Sequence, residues 1–147
     1  MLNSQLLIVG DGVLREQLQN KINVLGLQND VLLIGKVANV SKYLQESDVY
    51  VITSKYEGLP LSMLEAISSG LPIISSNVGG IKDVITEGLN GYLYDLNLGK
   101  DEIVKKLLYL YNNKDIMSDI RNNNILLSKK YDIEETSSQY CSLYSKN

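Results

Sequence analysis

DVYVITSKYEGLPLSMLEAISSGLPIISSNVGG, residues 48–80, decides how this chain folds. Its opening run, Asp48 to Thr53, is apolar and β-branched, the composition of a buried strand. A polar loop, Ser54-Lys55-Tyr56-Glu57-Gly58, comes next. Pro60 then suits the first turn of a helix, where its missing N–H would go unbonded anyway. The helical pattern runs to about Ser69, and Gly70 supplies a left-handed cap. Pro72 to Ser76 reads as a second buried strand, and Gly79-Gly80 opens a second loop.

Glu57 lies in the loop before the helix, and Glu65 about one and a half turns inside it. Ser62, Glu65 and Ser69 are spaced i, i+3, i+7 and share a face. Leu61, Leu64, Ile67 and Ser68 fall on another side, expected to pack on a sheet. A polar stripe beside a helix N-terminus suits a phosphorylated, hydroxyl-rich ligand. Free N–H groups and the positive dipole end meet phosphate, and carboxylates accept hydrogen bonds from sugar hydroxyls. By spacing alone, both glutamates would more often be ordinary solvated side chains.

The longer string decides otherwise. EGLPLSMLEAISSGLPIISSNVGG resembles the signature of retaining, nucleotide-sugar-dependent glycosyltransferases of family 4 (glycosyl transferases group 1). Those enzymes carry Glu-x7-Glu in an E-G-x-P/G-x-x-x-x-E-A context, then a Gly-x-Pro strand and a Gly-Gly loop. Every part occurs here, in order and at that spacing.

At 147 residues the chain is one domain by length. Hydrophobic residues make up 44% and charged residues 21%, as in ordinary globular proteins. A net charge of −3 argues against a nucleic-acid partner, which would call for a basic face. The single cysteine, Cys141, cannot form an internal disulfide and reads as a small hydrophobe on a helix. With no leader pattern at the N-terminus, the expectation is a reducing cytoplasm. No apolar run reaches the ~20 residues of a membrane span, though peripheral attachment to the inner membrane face stays compatible. There is no histidine, so neither His-based acid–base chemistry nor a His metal site is expected.

Before the central stretch, Gln5 to Val9 reads as a strand and Gly10-Asp11-Gly12 as a turn into a helix from about Val13. Asp11 is its expected N-cap, Leu14, Leu18, Ile22 and Leu25 its stripe, and Gly26 its C-cap. GDGVLR has Arg15 where a dinucleotide fingerprint needs its third glycine, so a tight strand-to-helix turn is preferred. Val31 to Ile34 is the next strand, ending in Gly35-Lys36-Val37, and Ser41–Gln45 a short helix. Beyond the central stretch come a short helix over 81–86, a Gly88-Leu89-Asn90-Gly91 turn and a strand over 92–94. Helices follow over about 101–112, 114–130 and 133–144. The second carries an Asn122–Asn124 run that lowers its propensity. The third has a stripe of Ile133, Thr136, Tyr140 and Leu143.

Alternating strands and helices predict a Rossmann-like, doubly wound α/β parallel sheet in a single domain. Ligands of such sheets bind beyond the carboxyl ends of the strands, where Glu57 and Gly79-Gly80 both fall. The resemblance covers roughly Leu6 to Tyr144 and implies the C-terminal half of a two-domain GT-B enzyme. That half binds a UDP- or GDP-linked sugar donor, with no metal or other cofactor. By resemblance Glu65 holds the ribose hydroxyls, and Glu57 sits beside the transferred hexose as the catalytic carboxylate. Backbone around Gly58, Leu59, Pro60, Leu61 and Ser62 approaches sugar and diphosphate, with Gly79 and Gly80 lining the same site. Gly35 and Val37, after the second strand, lie near the base.

Family members carry a Gly-Arg segment and a Lys upstream of the first strand, and these are absent from Met1 onward. The chain alone is therefore expected to transfer little or no sugar, and to need an N-terminal domain or subunit as partner. A non-catalytic subunit that docks on such a partner, or self-associates through the last helix, is the alternative. A GT-B epimerase fits the Glu-x7-Glu context less well.

Overall fold

The computed structural model describes residues 4–144 and has a mixed α/β architecture with parallel, Rossmann-like strand pairing. The chain divides into two compact units, 1–42 and 43–147.

In the first unit, β1 (Leu6–Val9), α1 (Arg15–Val24) and β2 (Val31–Gly35) form one βαβ motif. β1 and β2 pair in parallel from Leu6↔Val31 to Val9↔Gly35, with a register shift between Ile8 and Val9. α1 starts two residues later than predicted, and Asp11 is not its cap. The Asp11 carboxylate instead accepts the adjacent Gly12 N–H at 2.8 Å, and no side chain caps the helix. An aspartate satisfied by its own turn is lost to the helix beyond it. At the other end Gly26 (φ +67°) does reverse the chain. Its N–H donates to the Asn23 carbonyl and that of Leu27 to Ile22. Of the predicted stripe only Ile22 is buried; Leu14 and Leu25 stay more than half exposed.

α2 (Ser41–Gln45) spans the division. The second unit holds β3 (Tyr50–Ile52), α3 (Leu61–Ser68), β4 (Ile73–Ser76), α4 (Ile81–Val84) and β5 (Gly91–Tyr94). Then follow α5 (Lys100–Asn112), α6 (Lys114–Ser128) and α7 (Ile133–Tyr144). The parallel sheet runs β3-β4-β5, with β4 central and all four of its residues buried. Ile74, Tyr94, Leu110, Met117 and Ile120 form a core cluster on which Ile103, Leu107 and Ile116 pack.

α3 buries Met63, Ala66 and Ile67, whereas Leu61 is 76% exposed. The expected packing is therefore corrected at Leu61 and Ser68, both exposed, whereas Leu64 is half-buried and Ile67 buried as expected. Two apolar stripes overlap in LSMLEAIS, and the one spaced 63, 66, 67, 70 faces the core. That stripe ends at Gly70 (φ +77°), where a Cβ would come within 3.3 Å of Ile125 on α6.

The asparagine run of α6, read as a weakness, is a fastening. Asn124 is fully buried and donates to the carbonyls of Leu71 (2.7 Å) and Asn90 (2.9 Å). Asn90 in turn accepts the Thr86 N–H (2.7 Å) and donates to the Val84 carbonyl (2.9 Å). α6 thereby ties down the loops before β4 and β5. On α7, Ile133 and Tyr140 are exposed, and so is Cys141, which is not packed in a core. The side chains of Thr136 and Leu143 lie outside those described.

Two outcomes follow for stability. Asn124→Ala strands two buried carbonyls, and urea titration should show a loss of about 2–4 kcal/mol. Tyr94, 3% exposed, donates to the Ile52 carbonyl at 3.3 Å. Burial pushes its phenol above 10.0, opposed by hydrogen bonding with Ser76. A group raised on folding contributes fully below the unfolded pKa, and that contribution is lost as pH rises through the folded value. Stability should therefore fall above pH 10.0, and Tyr94→Phe, which cannot ionise, should flatten the fall.

Candidate functional site

The candidate residues of the second unit are gathered by backbone contacts at the carboxyl ends of β3 and β4. These strands are parallel neighbours, paired from Tyr50↔Ile73 to Ile52↔Ser75, so both release their loops at one edge of the sheet. The Ser76 hydroxyl, at the last residue of β4, donates to the Ser54 carbonyl at 2.6 Å. The Tyr94 hydroxyl holds the Ile52 carbonyl from the other neighbour of β4. The loop carrying Glu57 is thus fixed at its start.

It is fixed again at its middle. The Gly80 N–H donates to the Gly58 carbonyl at 2.9 Å. Gly79 (φ +52°) lies so close that a Cβ there would stand 1.6 Å from the Glu57 carbonyl oxygen. A Cβ on Gly80 would stand 2.8 Å from the Gly58 oxygen. Only glycine at both positions lets the two loops touch backbone to backbone. Glu57-Gly58 and Gly79-Gly80, separate in sequence, are therefore one structural feature.

From this feature the chain enters α3 through Leu59 and Pro60. The Pro60 carbonyl accepts the Met63 N–H (3.0 Å) and the Leu64 N–H (3.4 Å), and no side chain caps the helix. The N–H groups of Leu61 and Ser62 take no partner among the described residues. Ser62 and Glu65 are exposed and Glu57 is half-buried. Neither carboxylate joins an ion pair among the described residues, whose pairs are Lys106–Glu87 and Arg121–Asp48. Ser69, predicted to complete the polar stripe, does not. Its hydroxyl donates to the Glu65 carbonyl at 2.9 Å, as does that of Ser68 at 2.8 Å. Among the described residues the α3 entrance therefore presents carboxylates without ion pairs and N–H groups without acceptors, a set able to bind a ligand that is anionic at one point and hydroxylated at others.

Gly35 and Val37 belong to the first unit and are placed there by other contacts. Gly35 (φ +82°) is buried and its carbonyl accepts the Gly10 N–H at 2.9 Å, while Val37 is half-buried. Ser76 and Tyr94 were not singled out in the sequence, although both position the Glu57 loop. The available signal was the Ser75-Ser76 pair, polar residues closing an otherwise apolar buried strand. Among the described residues, no cluster of three or more His, Cys, Asp or Glu side chains forms, and no helix is long and apolar enough to cross a membrane.

Residues 2–126 match the family described as glycosyl transferases group 1. A glycosyltransferase of Haemophilus influenzae, itself uncharacterised, is 36% identical over 129 residues, covering 87% of this chain and 36% of that protein. The Escherichia coli UDP-Gal:alpha-D-GlcNAc-diphosphoundecaprenol alpha-1,3-galactosyltransferase is 40% identical over 96 residues, 65% of this chain and 25% of the enzyme. Among solved structures, Anabaena Alr3699/HepE in complex with UDP-glucose superposes with a TM-score of 0.86 over 97% of this chain and 41% of that one. At 23% identity, that likeness is one of fold. The chain thus spans about a third of the length of the Haemophilus relative and a quarter of the Escherichia coli enzyme. Family match, parallel α/β pairing and the Glu-x7-Glu loop agree: the chain belongs to the group 1 glycosyltransferases.

Proposed function

We propose that this chain is the donor-binding part of a retaining hexosyltransferase, taking a UDP- or GDP-linked sugar and no other cofactor. The observation that carries this reading is the α3 entrance, where unpaired N–H groups and two carboxylates free of ion pairs surround a locked loop. The N–H groups of Leu61 and Ser62, with the helix dipole behind them, would receive the diphosphate. Glu65 would accept hydrogen bonds from the ribose hydroxyls. Glu57 would accept from hexose hydroxyls and stabilise the positive charge that develops at the anomeric carbon as the bond to the diphosphate breaks.

Neutralising the leaving diphosphate would need cations beyond the N–H groups and carboxylates named here. A second, N-terminal GT-B domain or subunit would complete the cleft and hold a glycan or lipid-linked acceptor at the cytoplasmic membrane face. The Escherichia coli relative, named for a diphosphoundecaprenol-linked sugar, favours a lipid-linked one. Exposed Ile133, Tyr140 and Tyr144 on α7 favour a second reading, a docking subunit without catalysis. Truncation after Tyr131 would then abolish self-association or co-purification of a partner.

Isothermal titration with UDP, GDP, ADP and their sugars tests the main reading. Wild type should bind one nucleotide series, and Glu65→Ala should weaken it about 10- to 100-fold, the worth of charged hydrogen bonds. Absence of binding at millimolar concentration, or equal binding by the variant, would refute the assignment. Gly79→Ala cannot place its Cβ against Glu57, so the loops must part. It should lose binding and about 3 kcal/mol or more of stability, whereas Gly12→Ala, with nothing within 4 Å, should not clash.

A further inference from the structure

β5 stands last in the sheet of the second unit, so among the described residues no strand pairs with its outer side. Its inner side is occupied. The Tyr94 carbonyl accepts the Asn77 N–H at 3.0 Å, and the register with β4 runs from Ile73↔Gly91 to Ser76↔Tyr94. Backbone groups alternate in direction along a strand, so Leu93 and Asp95 turn their N–H groups outward. A row of such groups is a template for another chain, and GYLY has neither a charge nor a proline of its own to blunt it. The blunting comes from elsewhere. The Leu93 N–H donates to the Glu87 carboxylate, and the Asp95 N–H to that of Glu102 at 3.2 Å. Upstream, the Gly91 carbonyl accepts the Gly88 N–H at 3.0 Å. α5 holds both carboxylates in place: Glu102 is part of it, and Lys106, one turn further on, pairs with Glu87 at 3.6 Å. The Lys106 ammonium also lies 5.3 Å from the centre of the Tyr92 ring, which meets Tyr109 edge-on at 5.8 Å. Glu102, Lys106 and Tyr109 share one face of α5, and that face is laid along β5.

We propose that Glu87 and Glu102 close the outer edge of β5 against pairing with a second copy of this chain. An exposed ion pair adds little stability by itself; here it holds an acceptor over an open strand edge. A second copy is the occupant that this edge fits. A two-fold axis beside β5 sets the strand antiparallel to its own counterpart, so outward N–H groups face carbonyls of the same strand in the other molecule. GYLY brings no like charges to oppose that approach. The carboxylates must leave their N–H groups before the two strands can meet.

Sedimentation velocity of the full chain over a wide range of concentration, with amide exchange followed by NMR, tests the closure. Combining Glu87→Ala with Glu102→Ala frees both N–H groups. Exchange at Leu93 and Asp95 should rise about tenfold or more in dilute solution, and dimers beyond any that wild type forms should grow in with concentration. Combining Glu87→Gln with Glu102→Gln removes the same two charges but keeps a carbonyl acceptor at each position, and should sediment as wild type does. Equal association of the two double variants would mean that lost charge, not an opened edge, drives it, and would overturn the proposal. A double-alanine variant with the mass of wild type at every concentration would overturn it too. So would wild type whose Leu93 and Asp95 amides gain protection on association. Should the double-alanine variant not fold, Glu102→Ala alone leaves Glu87 in place and should raise exchange at Asp95 but not at Leu93. Unchanged exchange at Asp95 is then decisive against the closure.

Discussion

The contact on which the site depends is between two stretches of bare backbone. Gly79 and Gly80 lie against Glu57 and Gly58 at a separation that no side chain tolerates. The contact is possible because β3 and β4 are parallel neighbours ending at one edge, so the loops leaving them start close together. Ser76 and Tyr94 then bind the carbonyls of Ser54 and Ile52, removing the freedom that a polar loop of this composition would otherwise have. Loops built from hydrogen bonds to buried strand ends hold a side chain more narrowly than surface loops do. Glu57 is therefore placed by the sheet, although it lies outside it.

α3 shows the complementary trade. An N-terminus without a capping side chain forgoes about 1 kcal/mol. Full burial of Met63, Ala66 and Ile67 offsets that several times over, at about 25 cal/mol per Å² of apolar surface removed from water. The helix can leave its first N–H groups open because its other face is secure. Serine at position 62 could have served the backbone, as Ser68 and Ser69 do at the opposite end, yet no such bond forms. Unsatisfied polar groups at the surface cost little, and they are what a ligand needs.

Much of this was legible because the informative residues are those with few alternatives. Gly70 and Gly26 both take the left-handed conformation expected of helix-ending glycines, and α2 and α7 match their expected limits. Legibility failed where one residue type serves two purposes. Asp11 satisfies its own turn, Leu61 stays exposed although Ile67 of the same expected stripe is buried, and Ser69 bonds its own helix. Asn124 is the sharpest instance, since helix propensity counts only its local cost. Its two buried hydrogen bonds are to Leu71 and Asn90, far away in the chain. The glycine pair at 79–80 was visible as a loop, but nothing local to it indicates that its partner is Glu57.

The electrostatics of the α3 entrance set the limits of what it can do by itself. A helix terminus offers roughly half a positive charge, whereas a nucleoside diphosphate brings at least two negative ones. Glu57 and Glu65 add more of the wrong sign. On the proposed reading, affinity from this entrance would come largely from directed hydrogen bonds to hydroxyls and to single phosphate oxygens. Departure of the diphosphate needs charge compensation that grows as the bond breaks. Cations brought close by a second domain would act mainly on the transition state. On that reading, dividing the two tasks between structural halves would couple chemistry to their closure, and would keep a bound donor from being hydrolysed while the acceptor is absent.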